Sequence, residues 1–129
     1  MANEFRAANN TEVLLYKLLQ KLTTGISTTP APPGADYTTI GDGRKVVAVA
    51  GTAEAIAAST AVKSVTIQAE LLNAGVISVG TTTVDADEPT RTGIALESGD
   101  TITIDVDDLS KVWIDAENSG EGVTFIYFN

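Results

Sequence analysis

From Tyr37 to Asn129 the chain runs in short β-prone stretches, each cut off within a few residues by a turn signal, with no helical period between them. That pattern restricts this region to an all-β architecture, because neither a parallel sheet nor a bundle can be built without helices. Val65, Ile67 and Ala69 alternate with Ser64, Thr66 and Gln68, and Ile102, Ile104 and Val106 with Thr101, Thr103 and Asp105. One apolar face and one polar face per strand is the signature of a sheet packed on one side. About eight strands are expected: Lys45–Ala50 after a turn at Gly41-Asp42-Gly43, a weak Ala-rich piece at 52–58, Val62–Glu70, Val76–Val79 leading to Val84, Ile94–Leu96, Thr101–Val106, Val112–Asp115 and Val123–Phe128. They predict an antiparallel β-sandwich, jelly-roll-like, over residues 37–129.

The first 36 residues differ in kind. Residues 1–25 read as a polar arm and one short amphipathic α-helix. Asn10 or Thr11 is placed to cap it, and Gly25 to stop it. Leu14, Leu15, Leu18, Leu19 and Leu22 recur at three- and four-residue spacing and form one stripe, opposite Lys17, Gln20 and Lys21. A helix of this length is marginal alone in water, so packing must stabilise it. Two placements stay open: against the sheet of its own subunit, or against neighbouring subunits or a larger assembly. Residues 26–36 carry Pro30, Pro32 and Pro33 and read as an extended tether.

Composition closes most chemistry. The 129 residues contain no His and no Cys. Ser-His-Asp, Cys-His and His-zinc constellations are therefore out of reach of a single chain, and so are disulfides. Formal charge is −9, from eight basic and seventeen acidic residues, which disfavours nucleic acid as a partner. Arg6, Lys17 and Lys21 face only Glu4 and Glu12 among the first 21 residues, so the remainder carries five basic and fifteen acidic residues. The first ten residues lack the apolar core of a signal peptide, and no run reaches membrane-spanning length. Neither a signal peptide nor a membrane is expected.

Two acidic clusters, Asp85-Ala-Asp87-Glu88 and Asp105-Val-Asp107-Asp108, lie in or beside turns. Neither has the twelve-residue calcium-loop spacing, so both read as solvated carboxylates. No Asp or Glu is expected to be buried in an apolar strand, where its pKa would rise. Gly41-Asp42-Gly43 and Gly120-Glu121-Gly122 precede no helix and are turns, not phosphate loops. The expectation is no enzyme, no catalytic residue, no metal and no cofactor. Two-faced apolarity at the end of the chain, with Phe125 on one side and Ile126 and Phe128 on the other, marks either a covered central strand or a contact surface. Trp113 opposite Val112 and Ile114 has the same character.

Val65-Thr-Ile-Gln-Ala69, Asn73-Ala-Gly-Val-Ile-Ser-Val-Gly80, Leu96-Glu-Ser-Gly-Asp-Thr-Ile-Thr-Ile-Asp-Val-Asp-Asp-Leu109, Val112-Trp-Ile-Asp-Ala116 and Gly122-Val-Thr-Phe-Ile-Tyr127 together resemble small virion β-sandwich domains of tailed bacteriophages. The resemblance covers roughly half the chain and marks turns and strands rather than a site. It implies a head decoration, or cement, protein on the capsid exterior. Such a protein would be a homo-oligomer, with a trimer expected, whose partner is the major capsid protein. The expected contacts are the leucine stripe (Leu14, Leu15, Leu18, Leu19, Leu22) and the group Trp113, Phe125, Ile126 and Phe128. A ligand- or carbohydrate-binding module of a tail fibre or secreted protein is the alternative.

Overall fold

Eight strands and one 3-10 turn follow one another in a computed structural model that describes Leu15 and residues 37–129. The strands are β1 (Ile40–Val46), β2 (Glu54–Ala55), β3 (Ser64–Ala69), β4 (Ile77–Gly80), β5 (Ile94–Leu96), β6 (Thr101–Asp105), β7 (Trp113–Ala116) and β8 (Gly122–Phe128), with the 3-10 turn at Leu109–Lys111. The tether and the expected helix lie outside the described residues, except for Leu15, which is helical and 61% exposed.

One four-stranded sheet has the order β1-β8-β3-β6 and the other β2-β7-β4-β5, and every neighbouring pair is antiparallel. The chain crosses between sheets at each connection except β4 to β5. This is the eight-stranded jelly roll, an all-β double sheet built from two Greek keys. Between the sheets lie Val65, Ile67 and Ala69 of β3, Val123 and Phe125 of β8, Ile77 and Val79 of β4, and Ile114 and Ala116 of β7. Alternation along β3 and β8 sends these inward and Thr66, Gln68, Thr124 and Ile126 to the opposite face.

The first strand departs from expectation. Gly41-Asp42-Gly43 is not a turn but the middle of β1, and Val47 to Ala50 lies beyond the strand. The physical reason is on β8. Gly41 pairs with Tyr127 and Gly43 with Phe125, and a Cβ at either glycine would fall inside the neighbouring ring. The two rings fill the space that side chains on β1 would take. The weak piece at 52–58 reduces to the two residues of β2.

β4 is buried on both faces, because residues 81–93 fold back over the outer face of the second sheet. Ala86 in that cover is fully buried, and its N–H donates to Asp115 Oδ2 at 2.9 Å. Arg91 donates through Nε to Ala86 O at 2.9 Å and pairs with Glu88 at 2.6 Å and with Glu117. The sequence expectation that no carboxylate is buried is therefore wrong at Asp115, which is 1% exposed. Alternation puts Asp115 on the face opposite Ile114, and what buries it is a distant loop that strand patterning does not register.

Candidate interaction surface

The outer face of the β1-β8-β3-β6 sheet is laid out by register. One row runs Asp42, Ile126, Thr66, Thr103, and the next Arg44, Thr124, Gln68, Thr101. Hydroxyls dominate. Thr66 and Thr103 share a hydrogen bond at 2.8 Å, and Gln68 Nε2 donates to Gly99 O at 3.1 Å. Ile126 stands among them, 37% exposed. A shallow depression of about 260 Å³ is lined by Thr66, Gln68, Thr101, Thr124, Phe125 and Ile126. A second, of about 310 Å³, shares Gln68 and Thr124 with it and is completed by Glu70, Leu71 and Leu72.

Leu71 and Leu72 are the most exposed large apolar side chains among the described residues, at 74% and 97%. They project from the loop after β3, and that loop is firmly held. Asn73 is buried and bonds the Gly122 backbone in both directions, Nδ2 to O at 2.8 Å and N–H to Oδ1 at 3.2 Å. Ser98 Oγ donates to Leu71 O at 2.7 Å. Glu121 accepts from Ala74 N at 2.6 Å and Gly75 N at 3.0 Å, and Glu117 from Val76 N at 2.8 Å. Two leucines are thus presented to solvent on an ordered backbone, so covering them adds little ordering entropy. At the rim Arg44 makes a two-pronged pair with Glu70, its Nη2 lying 3.0 Å from Oε2. That hydrogen bond holds the Glu70 carboxyl below its ordinary pKa.

The aromatic residues expected at a contact do not gather in one place. Ile126 and Phe128 share this outer face, and Phe128 packs on Tyr37 with ring centroids 5.3 Å apart. Phe125 is 7% exposed and belongs to the core. Trp113 is half-buried on the other sheet, where Nε1 donates to Ser110 O at 3.0 Å. Leu14, Leu18, Leu19 and Leu22 lie outside the described residues. Leu71 and Leu72 were missed by pattern reading, because two adjacent leucines between the expected strand end at Glu70 and the turn at Asn73 follow no period that would tell which way they face.

The acidic clusters are spent on local structure. Asp85 accepts from Thr90 Oγ1 at 2.7 Å and from Asp87 N at 2.9 Å, which keeps its carboxyl below the ordinary value. Asp107 pairs with Lys111 at 2.7 Å. Asp108 accepts from Ser59 Oγ at 2.7 Å, Ser110 N at 2.8 Å, Ser110 Oγ at 2.7 Å and Thr60 N at 3.1 Å, and these bonds hold it far below the carboxylate range. Among the described residues no group of three or more His, Cys, Asp or Glu is arranged to hold a metal ion, and no helix is long and apolar enough to cross a membrane. Ser78 Oγ and Asp115 Oδ1, opposite each other in register, are buried with no hydrogen-bond partner among the described residues. Comparison with protein-family models, with curated proteins and with solved structures found no match.

Proposed function

We propose that the chain is a non-enzymatic structural protein of a tailed-bacteriophage virion. In this role it is a capsid decoration protein that binds the outer head surface as a homo-oligomer and stabilises it by bridging capsid subunits. The observation that carries an assembly role is the pair Leu71 and Leu72, held out on an anchored loop beside the shallow depressions of the first sheet. An apolar knob on a rigid base, next to a surface of hydroxyls, has the anatomy of an interface anchor with a polar rim. The virion setting rests on the residue-level resemblance and on fold analogy, since jelly rolls recur in viral shells.

The alternative, a carbohydrate-binding module, draws on one feature: the depression lined by Thr66, Gln68, Thr101 and Thr124 is rich in hydroxyl and amide groups. The ring nearest to it, Phe125, is buried and offers no stacking platform.

The test is sedimentation of the full chain with heads of the phage that encodes it, alongside a Leu71→Ser/Leu72→Asp variant. Both positions are exposed, so the variant should melt within about 0.5 kcal/mol of the parent's stability. Saturable binding by the parent and a loss of tenfold or more in the variant is the expected result. Absence of binding by the parent, with retention on a glycan array instead, would reject the decoration role.

A further inference from the structure

β6 is one edge of the first sheet, and among the described residues it pairs only with β3. Val106 N donates to Lys63 O at 3.2 Å, and Ala69 N to Asp100 O at 3.0 Å. Bonded pairs alternate along an antiparallel ladder, so Ile104 and Ile102 also bond toward β3. The N–H and C=O groups of Thr101, Thr103 and Asp105 therefore point out of the open edge.

The other three edges are blunted. β1 carries Asp42, Arg44 and Lys45, while β2 and β5 have two and three residues. β6 reads Thr-Ile-Thr-Ile-Asp: its one charge, Asp105, sits at the end of the strand, and it has no Pro, no Lys and no Gly. Its inward residues Ile102 and Ile104, together with Val106, pack on the core but stay only partly buried. A strand added at this edge would satisfy the open backbone groups and complete that apolar cover.

The segment is also complementary to itself. We propose that β6 of one copy pairs antiparallel with β6 of a second copy about a twofold axis at Thr103, joining the two sheets into one. This rests on the assembly role above and names a second copy as a partner of the same sheet. In this register Thr103 opposes Thr103 of the second copy, and each N–H meets the other's carbonyl. Thr101 opposes Asp105, and Ile102 opposes Ile104. Hydroxyl meets hydroxyl, as Thr66 and Thr103 already do within the sheet, hydroxyl meets carboxylate, and no like charges face each other.

The test uses the full chain in three variants. Thr103→Lys sets two ammonium groups face to face on the axis. Thr103→Pro deletes an outward N–H while leaving the bonds to β3 in place. Thr103→Cys supplies the only thiol in the chain. Light scattering across concentration should show a parent dimer, and the Lys and Pro variants should associate at least about tenfold more weakly with an intact melting transition. Under mild oxidation Thr103→Cys should cross-link to a covalent dimer, while Asp42→Cys on the opposite edge should not. A parent that is monomeric at every concentration overturns the pairing. So does self-association that the Lys variant leaves unchanged, or a Thr103→Cys protein that associates without cross-linking. The decoration role is judged separately by head binding: a chain that pairs through β6 but ignores heads rejects that role and keeps the pairing, and capture of some other extended peptide at β6 with no dimer rejects the pairing.

Discussion

Gly41 and Gly43 occupy the middle of a strand, where glycine ordinarily costs about 0.5–1 kcal/mol relative to alanine. Here the absence of a Cβ lets the Tyr127 and Phe125 rings lie across β1. Restoring a methyl at position 43 gains the strand preference but drives it into the Phe125 ring, and overpacking costs about 1–3 kcal/mol. The clash wins because the ring is held in the core and has nowhere to go. Gly43→Ala is expected to lower stability by about 1–2 kcal/mol in urea unfolding. Adding Phe125→Leu should make the alanine nearly neutral in a double-mutant cycle. An alanine equally harmful in both backgrounds would mean the ring is not what excludes it. Asn73 makes the same kind of point with polar groups, since one buried amide closes two backbone bonds to Gly122 and thereby fixes the loop that carries Leu71 and Leu72.

Among the elements, the 3-10 turn at Leu109–Lys111 depends most on a single charge. Asp108 caps it through Ser110 and ties it to the 59–60 segment through Ser59 and Thr60. These bonds favour the carboxylate, so its folded pKa lies below the ordinary 3.8. A depressed carboxyl contributes its stability above the unfolded pKa and loses it as pH falls toward the folded one. Asp85 and Asp107 are shifted the same way, by the Thr90 hydroxyl and by Lys111, as are Glu54 through Lys45 and Glu70 through Arg44. The melting midpoint should therefore hold above about pH 5 and decline below about pH 4. Asp108→Asn keeps an acceptor but no charge. Its melting midpoint should lie below the parent's at pH 7, and the gap should close progressively below pH 3.8. A gap that stays constant down to pH 2.5 would show that the charge contributes nothing.

The elements that were legible in sequence are those governed by alternation alone. β3 and β6 lie within a residue or two of where Val65-Ile67-Ala69 and Ile102-Ile104 put them. The outward apolar pair Ile126 and Phe128 was visible for the same reason. β1 was not, because its partner's rings replace its own side chains, and the burial of Asp115 was not, because a loop distant in sequence covers it. The 3-10 turn was hidden too: Asp107-Asp108 announced the end of a strand but not the cap that follows.

At the scale of the whole molecule the net charge of −9 separates two kinds of contact by sign. Two copies meeting at β6 are like-charged bodies, and their repulsion opposes association over a Debye length of about 30 Å at 10 mM salt and about 8 Å at physiological ionic strength. Raising salt screens that repulsion, so self-association should tighten as NaCl goes from 10 to about 150 mM. A partner that attracts this acidic body must present basic groups, and there the same salt weakens encounter and affinity. Measured on one preparation, the dimer constant and the head-binding constant are expected to move in opposite directions with salt. If both loosen together, the self-contact is driven by charge pairs rather than by the backbone ladder and the half-covered Ile102 and Ile104. The Arg44–Glu70 pair at the opposite edge and the Lys111–Asp107 pair would then be the places to look for it, since their basic side chains are well exposed and able to exchange partners between copies.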